Sequence, residues 1–131
     1  MKLHGLSPIL WTKDLQQTRA FYENVLGFTG VSNFPNFVSF KLDSVEIMFI
    51  VPQDEPDACK EPGAPPFFPK PQLTGSIFIY MAQVDKLWQN VKDKVTVITP
   101  IDNRAYRMRD FSIRDNNGYE LVFGEDISRT E

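Results

Sequence analysis

A proline-rich stretch from residue 52 to residue 75 constrains the fold of this chain more than any other feature of the sequence. Seven of the ten prolines fall within it: Pro52, Pro56, Pro62, Pro65, Pro66, Pro69 and Pro71. Because proline neither continues a helix nor donates to a β ladder, the stretch predicts a long irregular connection. It separates two parts, 5–51 and 76–124, within a chain of 131 residues, which is the length of one ordinary domain spanning 1–131.

The first part predicts a strand, a helix and three further strands. A short apolar run over 5–12 is typical of a strand. Asp14 followed by Gln17 forms the capping-box pattern that begins a helix, and Gly27 is expected just past its end. The three strand-like runs that follow are Phe28–Ser32, Phe37–Leu42 and Val45–Val51.

The second part predicts the same order of elements. After a strand at Ser76–Met81, apolar residues recur at the spacing of an amphipathic helix over Val84–Val91. The last three predicted strands are Val95–Thr99, Tyr106–Arg114 and Tyr119–Phe123. Asn117-Gly118 is a strong signal for a tight hairpin between the final two. The repeated order indicates an α+β fold built from two βαβββ units.

Alternation along the strands predicts which side chains are available to a ligand. In Tyr119–Phe123 one face is apolar, and Glu120 and Val122 share the other. In Phe37–Leu42 the mixed face begins with Phe37. Around Arg109-Asp110 the apolar alternation changes phase, which indicates either a β-bulge or an irregular strand edge.

Composition excludes several classes of function. The net charge of −3 provides no field to hold a polyphosphate, which argues against a dedicated nucleic-acid binder. The single cysteine, Cys59, excludes an internal disulfide and a cysteine-built metal site, so we expect a cytoplasmic protein. No apolar run is long enough to span a bilayer, and no membrane partner is expected.

Two segments of the chain resemble the vicinal oxygen chelate superfamily, which includes glyoxalase I, extradiol dioxygenases, fosfomycin-resistance proteins and bleomycin-resistance proteins. Residues 14–28, DLQQTRAFYENVLGF, are similar to the family pattern D-(x)6-FY-x-x-x-LGF. The second segment is the late run 108–121, MRDFSIRDNNGYEL. The resemblance implies two βαβββ units that form a cup-shaped curved mixed sheet, with the helices packed outside. It also implies a ligand inside the cup and a homodimer.

The same resemblance locates the positions where enzymes of this superfamily hold a divalent metal with His, Gln and Glu ligands. In this sequence those positions are Ser7, Met48, Ser76 and Val122. None of them supplies an imidazole or a carboxylate, so we expect neither a metal nor another cofactor. The single histidine, His4, precedes the first position by three residues and is expected at the surface.

The departure from the metal pattern favours the metal-free, bleomycin-resistance-like branch. The leading hypothesis is a protein that sequesters a small hydrophobic or planar ligand by stacking and burial, without metal catalysis. The residues expected to contact this ligand are Ile9, Trp11, Phe37, Met48, Phe78, Tyr80, Arg107, Arg109, Glu120 and Val122. Core packing is the alternative role for each aromatic residue. For Arg107 and Arg109, which of the two faces the cup stays open, and a solvated ion-pairing face is the alternative.

Two other functions remain open at this point. One is a lyase or dioxygenase-like enzyme of the same superfamily, with an atypical metal site near Glu46 and Glu120 or with metal-independent chemistry. The other is a domain for assembly or regulation, in which aromatic side chains fill the cup. A family resemblance fixes the fold without fixing which of these functions the chain performs.

Overall fold

A computed structural model of the chain describes residues 1–52 and 73–128. The chain divides into two compact units, Met1–Pro71 and Gln72–Glu131. Each unit contains one four-stranded mixed sheet and one α-helix, which confirms the α+β class. The irregular connection predicted for 52–75 lies almost wholly outside the described residues. No helix within the described ranges is long and apolar enough to cross a membrane.

The first unit follows the predicted order of a strand, a helical segment and three strands. Its elements are β1 (Ile9–Trp11), α1 (Leu15–Ala20), a π-helical turn (Phe21–Val25), β2 (Thr29–Val31), β3 (Phe37–Leu42) and β4 (Val45–Ile50). The sheet order is β1-β4-β3-β2. β1 runs parallel to β4, and the other pairs are antiparallel.

The helical segment begins where the capping pattern predicts and then widens. The Asp14 carboxylate accepts a hydrogen bond from the backbone N–H of Gln17 at 3.0 Å, which satisfies one of the unpaired donors of the first turn. Farther along, the Leu26 N–H donates to the Phe21 carbonyl five residues back, at 3.2 Å. The continuous α-helix expected up to Gly27 is therefore a π-helical turn after residue 20. Gly27, with φ of +83°, ends it.

The core of the first unit is built around Tyr22, which the π-helical turn carries and which is fully buried. Its ring stacks on Phe40 with a centroid distance of 5.0 Å and meets Phe49 edge-on at 5.1 Å. Phe28 completes the aromatic cluster at 5.8 Å. Because alternate residues of β3 and β4 point to this cluster, only one face of the sheet is committed to the core.

The second unit has the same order of elements. They are β5 (Ser76–Tyr80), α2 (Val84–Val91), β6 (Thr96–Asn103), β7 (Met108–Arg114) and β8 (Glu120–Asp126). The sheet order is β5-β8-β7-β6, with β5 parallel to β8. The core is formed by alternate residues of β7 and β8 against α2, where Trp88 contacts Phe111 at a centroid distance of 5.1 Å.

The hairpin between β7 and β8 forms at the predicted turn. The Asp115 carboxylate accepts hydrogen bonds from the N–H groups of Asn117 at 2.8 Å and Tyr119 at 2.9 Å. Gly118 takes a φ of +93°, which suits a residue without a side chain. The Asn-Gly signal therefore located this turn correctly.

The irregularity expected near Arg109-Asp110 lies on the neighbouring strand instead. β7 pairs with β8 in continuous register, whereas its pairing with β6 shifts between Val97 and Thr99 and again between Thr99 and Asp102. The apolar pattern of β7 changes phase because both faces of that strand carry apolar side chains, and not because the strand itself is bulged. β6 also extends to Asn103, past the expected end at residue 99.

Candidate functional site

Each sheet has a face opposite its core, which we call the non-core face. In the first unit the pairing register places Ile9 beside Met48 and Trp11 beside Ile50. On the other side of β4, Ser39 lies opposite Met48, and Phe37 lies opposite Ile50. Since strand residues alternate between faces, these side chains share the non-core face. The structure therefore brings together four predicted contact residues, namely Ile9, Trp11, Phe37 and Met48.

One end of this non-core face is apolar and accessible. Ile9 is 54% exposed and Trp11 is 39% exposed, although both are large apolar side chains. Phe34, in the loop before β3, is 68% exposed and meets the Phe37 ring edge-on at 6.0 Å. Sequence reasoning did not select Phe34, because a residue in a short loop has no strand parity to assign it to a face. An accessible group of this composition is typical of a surface that contacts another molecule.

The other end of the same face is polar and closed by its own hydrogen bonds. Glu46 accepts one hydrogen bond from the Ser39 hydroxyl at 2.5 Å and another from the Ser7 hydroxyl at 2.6 Å. The Lys41 Nζ lies 3.8 Å from the same carboxylate. These hydroxyls, Ser39 first, and the Lys41 charge hold the pKa of Glu46 below its ordinary value, against the opposing effect of burial. Glu46 is therefore an ionised carboxylate whose neighbours are already bound to it.

The non-core face of the second unit carries two aromatic side chains on β5. Phe78 lies beside Val122 and Tyr80 lies beside Gly124. The two rings are 4.9 Å apart, and Tyr80 is 74% exposed. A Cβ atom on Gly124 would lie only 2.5 Å from Cζ of Phe78, so the glycine leaves the space that this ring occupies.

Two polar groups on this face have no partner within the described part of the chain. The hydroxyl of Ser112 is buried, with the residue 3% exposed, and it makes no hydrogen bond. Ser112 lies opposite Val122 on β8. Glu120, half-buried, lies beside Ser76, and its carboxylate makes no hydrogen bond or ion pair to any described residue. Sequence parity identified Glu120, whereas Ser112 was missed because a serine between two apolar residues gives no signal.

A buried ionic network ends this face near the start of β7. The Asp110 carboxylate accepts hydrogen bonds from Arg104 Nε at 2.9 Å and from the Tyr106 hydroxyl at 2.5 Å. Arg104 Nη2 also donates to the Pro100 carbonyl at 2.6 Å. The bond to Asp110, with burial second, raises the pKa of Tyr106 above its ordinary value. The network joins the irregular end of β6 to β7, and sequence reasoning missed Arg104 because the predicted strand stopped five residues earlier.

The two arginines selected from the sequence lie elsewhere. Arg109 is on the core side of β7, where its guanidinium donates to the Asp85 carboxylate of α2 at 2.8–3.1 Å. This pairing lowers the pKa of Asp85 and raises that of Arg109. Arg107 is exposed in the turn before β7, with φ of +64°, so strand alternation assigns it no face. Arg109 is therefore not on the face that carries Phe78 and Tyr80.

The positions where the family resemblance would place metal ligands do not fit a divalent ion. Ser7 donates to Glu46, Met48 offers a thioether, and Val122 has no donor atom. Hard divalent ions require carboxylate or carbonyl oxygens, and borderline ions require imidazole or thiolate. Within residues 1–52 and 73–128, no three His, Cys, Asp or Glu residues form a group able to hold a metal ion.

Comparison with known proteins identifies the family. The family model described as Glyoxalase/Bleomycin resistance protein/Dioxygenase superfamily matches residues 4–123. No curated protein matches the chain. Many solved structures match the chain.

Three solved structures illustrate the likeness. TioX from Micromonospora sp. ML1 is 15% identical, with 94% of this chain and 98% of that chain covered and a TM-score of 0.71. An integron cassette protein from the mobile metagenome of V. cholerae is 22% identical, with 95% and 97% covered and a TM-score of 0.68. Lactoylglutathione lyase from Agrobacterium tumefaciens is 21% identical, with 93% and 92% covered and a TM-score of 0.65. At this identity the likeness establishes the fold alone.

Proposed function

The chain belongs to the glyoxalase/bleomycin resistance protein/dioxygenase superfamily, and on that premise we propose that it binds a small planar or amphipathic molecule without metal-assisted catalysis. The observation that carries the proposal is the presence of accessible aromatic side chains on the non-core face of each unit, Trp11 in the first and Tyr80 in the second. Aromatic rings provide a large contact area at a small cost in conformational entropy and stack on planar ligands.

The wider form of the proposal follows the family resemblance. We place the chain in the metal-free, bleomycin-resistance-like branch, as a cytoplasmic homodimer whose ligand lies in a cup formed from βαβββ units. The side chains at the four metal positions support this branch, because they cannot hold the metal ion that would chelate adjacent oxygens of a substrate and stabilise the charge that develops there. One structural relative is named a lyase, so an enzymatic function is the alternative that the experiments below must distinguish.

Tryptophan fluorescence offers a direct test of ligand binding. Trp11 lies on the non-core face, whereas Trp88 contacts Phe111 in the core of the second unit. In a Trp88→Phe variant, emission therefore reports on Trp11 alone. We expect saturable quenching of this emission by planar probes such as acridine. The matched Trp11→Phe variant, which keeps Trp88, should show little response.

Metal dependence is tested on the same purified protein. Elemental mass spectrometry should find no stoichiometric metal, and a thermal-shift titration with nickel, manganese, zinc and iron(II) should show no specific stabilisation. Near-stoichiometric metal, or stabilisation that Glu46→Ala or Glu120→Ala removes, would overturn the proposal and favour the enzyme. Absence of saturable quenching by every planar probe would overturn it independently.

A further inference from the structure

The two units repeat one polar triad at matching positions. In the first unit, Ser7 lies beside Glu46, and Ser39 of β3 is bonded to the same carboxylate. In the second unit, Ser76 lies beside Glu120 in the parallel pair. The β7 serine, Ser112, stands in the same diagonal relation to Glu120 as Ser39 does to Glu46. Each triad therefore consists of two serines that flank one glutamate; in the first unit Ser7 lies two residues before β1.

The first triad is closed. Both serine hydroxyls donate to Glu46, at 2.5 and 2.6 Å, and Lys41 approaches from the adjacent strand at 3.8 Å. Every donor near this carboxylate already points to it. Such a group contributes to the stability of the unit and offers little hydrogen-bonding capacity to a ligand.

The second triad is open. The side chains of Ser76, Glu120 and Ser112 form no hydrogen bond or ion pair with any described residue. The register position of Lys41 is occupied here by Arg114, which lies opposite Glu120. Arg114 Nη1 instead donates to the Gly118 carbonyl of the hairpin turn at 3.0 Å, so the cation that would neutralise Glu120 is directed elsewhere.

The Ser112 hydroxyl gives the open triad an unused hydrogen-bonding group. The residue is only 3% exposed, and its hydroxyl has no hydrogen-bond partner within residues 1–52 and 73–128. Buried hydroxyl groups in native proteins nearly always have a hydrogen-bond partner, because leaving one unpaired costs free energy. A ligand that supplies the missing partner recovers that cost upon binding. The Glu120 carboxylate, which has no described partner on the same face, favours a positively charged group on the ligand.

We infer that Ser76, Glu120 and Ser112 anchor the ligand and select a planar cation that carries N–H donors. This inference rests on the proposed function and narrows its ligand class. Glu120 pairs with the positive charge, and the Ser112 hydroxyl oxygen accepts a hydrogen bond from one of the cation's N–H groups. Phe78, beside Val122 on the same face, and Tyr80 provide ring faces that attract a cation and stack on the planar portion.

Three probes of one ring system test the charge selection. 9-Aminoacridine, acridine and acridine-9-carboxylate share a planar ring and are cationic, neutral and anionic at neutral pH. We expect the cation to bind at least about tenfold more tightly than the anion, and Glu120→Gln to remove most of that preference. The control Asp93→Asn makes the same change in net charge at an exposed position at the end of α2 and should retain the preference.

The outcomes separate the two proposals. If none of the probes binds, the proposed function fails. If all three bind with equal affinity, or if Asp93→Asn abolishes the preference as fully as Glu120→Gln, ligand binding stands and the anchor inference is overturned.

A second variant tests Ser112 through effects of opposite sign. Ser112→Ala removes an unpaired buried hydroxyl, so we expect an equal or higher melting temperature for the free protein and about fivefold or greater loss of affinity for 9-aminoacridine. The same substitution at the matching position, Ser39→Ala, breaks a hydrogen bond and should lower the melting temperature while the preference for the cation persists. Unchanged affinity in Ser112→Ala, or loss of affinity together with a lower melting temperature, would overturn the role of Ser112.

Discussion

Replacing Arg104 should destabilise the protein far more than replacing Arg109, although both arginines pair with an aspartate. The Asp110 side chain is only 4% exposed, and Arg104, at 22%, is its cationic partner. In Arg104→Met the carboxylate stays buried without a compensating charge, for which the cost is about 3–5 kcal/mol. We expect the lower end, about 3 kcal/mol, because the Tyr106 hydroxyl continues to donate to Asp110.

The Arg109–Asp85 pair supplies the control. Its N–O distance is 2.8 Å, shorter than the 2.9 Å of the Arg104–Asp110 pair, but the Asp85 side chain is 59% exposed. Water and salt screen an exposed pair, so Arg109→Met should cost less than about 1 kcal/mol. Distance alone would rank the two pairs in the opposite order, and burial decides between them.

Urea unfolding followed by circular dichroism measures the free energies of both variants, and thermal unfolding measures their melting temperatures. Arg104→Met should lower the melting temperature by roughly 10 °C, since about 1 kcal/mol corresponds to about 3–5 °C in a chain of this size. The double variant Arg104→Met/Asp110→Asn should be more stable than Arg104→Met alone, because it no longer buries an unpaired charge. Equal costs for Arg104→Met and Arg109→Met, or a double variant less stable than the single, would refute this reasoning.

Three further predictions follow from individual side chains. The folded-state pKa of Glu46 is lowered from its ordinary value of 4.5 by hydrogen bonds from Ser39 and Ser7. Its contribution to stability is therefore complete above the ordinary pKa and is lost as pH falls through the folded pKa. Glu46→Gln should reduce the acid sensitivity of the unfolding free energy measured in urea. The pKa of Tyr106 is raised above 10.0, so its contribution is lost as pH rises through the folded value, and Tyr106→Phe should remove a late-titrating phenol from the alkaline ultraviolet absorbance titration. Gly124→Ala places a Cβ atom 2.5 Å from Cζ of Phe78, which forces the ring to move and should cost about 1–3 kcal/mol in thermal unfolding.

The elements of the fold were predictable where local chemistry alone determines them. The Asp14 cap and the Asn117-Gly118 turn depend on residues within four positions of each other, and both appear where the sequence places them. The π-helical turn after Ala20 was not predictable, because it accompanies the burial of Tyr22 against β3 and β4, which are distant in sequence. The irregularity was predicted on β7, whereas the register shifts lie on β6. Apolar side chains on both faces of β7 produce the same change of phase in the sequence as a bulge does.

The candidate site was predictable only as far as strand parity extends. Parity selected Phe37, Glu120 and Val122 on the non-core faces, and the pairing register agrees. It left the choice between Arg107 and Arg109 open, because a change of phase was read where the strand is regular; the structure places the Arg109 guanidinium beside α2. Parity also says nothing about which polar groups satisfy one another. The difference between Ser39, which is bonded, and Ser112, which is not, exists only in three dimensions.

The two triads repeat the same residue types, but their side chains form different contacts. Both units place a serine–glutamate–serine set on the non-core face, so composition at these positions does not distinguish them. The triads differ in the contact made by the cation opposite the glutamate. Lys41 approaches Glu46 across β3 and β4, whereas Arg114 donates a hydrogen bond to the Gly118 carbonyl of the hairpin. A closed triad stabilises its sheet, whereas the open triad lacks that stabilisation and, in the inference proposed above, keeps its unpaired groups for a ligand. Substitution of Ser39 should therefore reduce stability, and substitution of Ser112 should reduce ligand binding. A repeat with a purely structural role would not produce this difference.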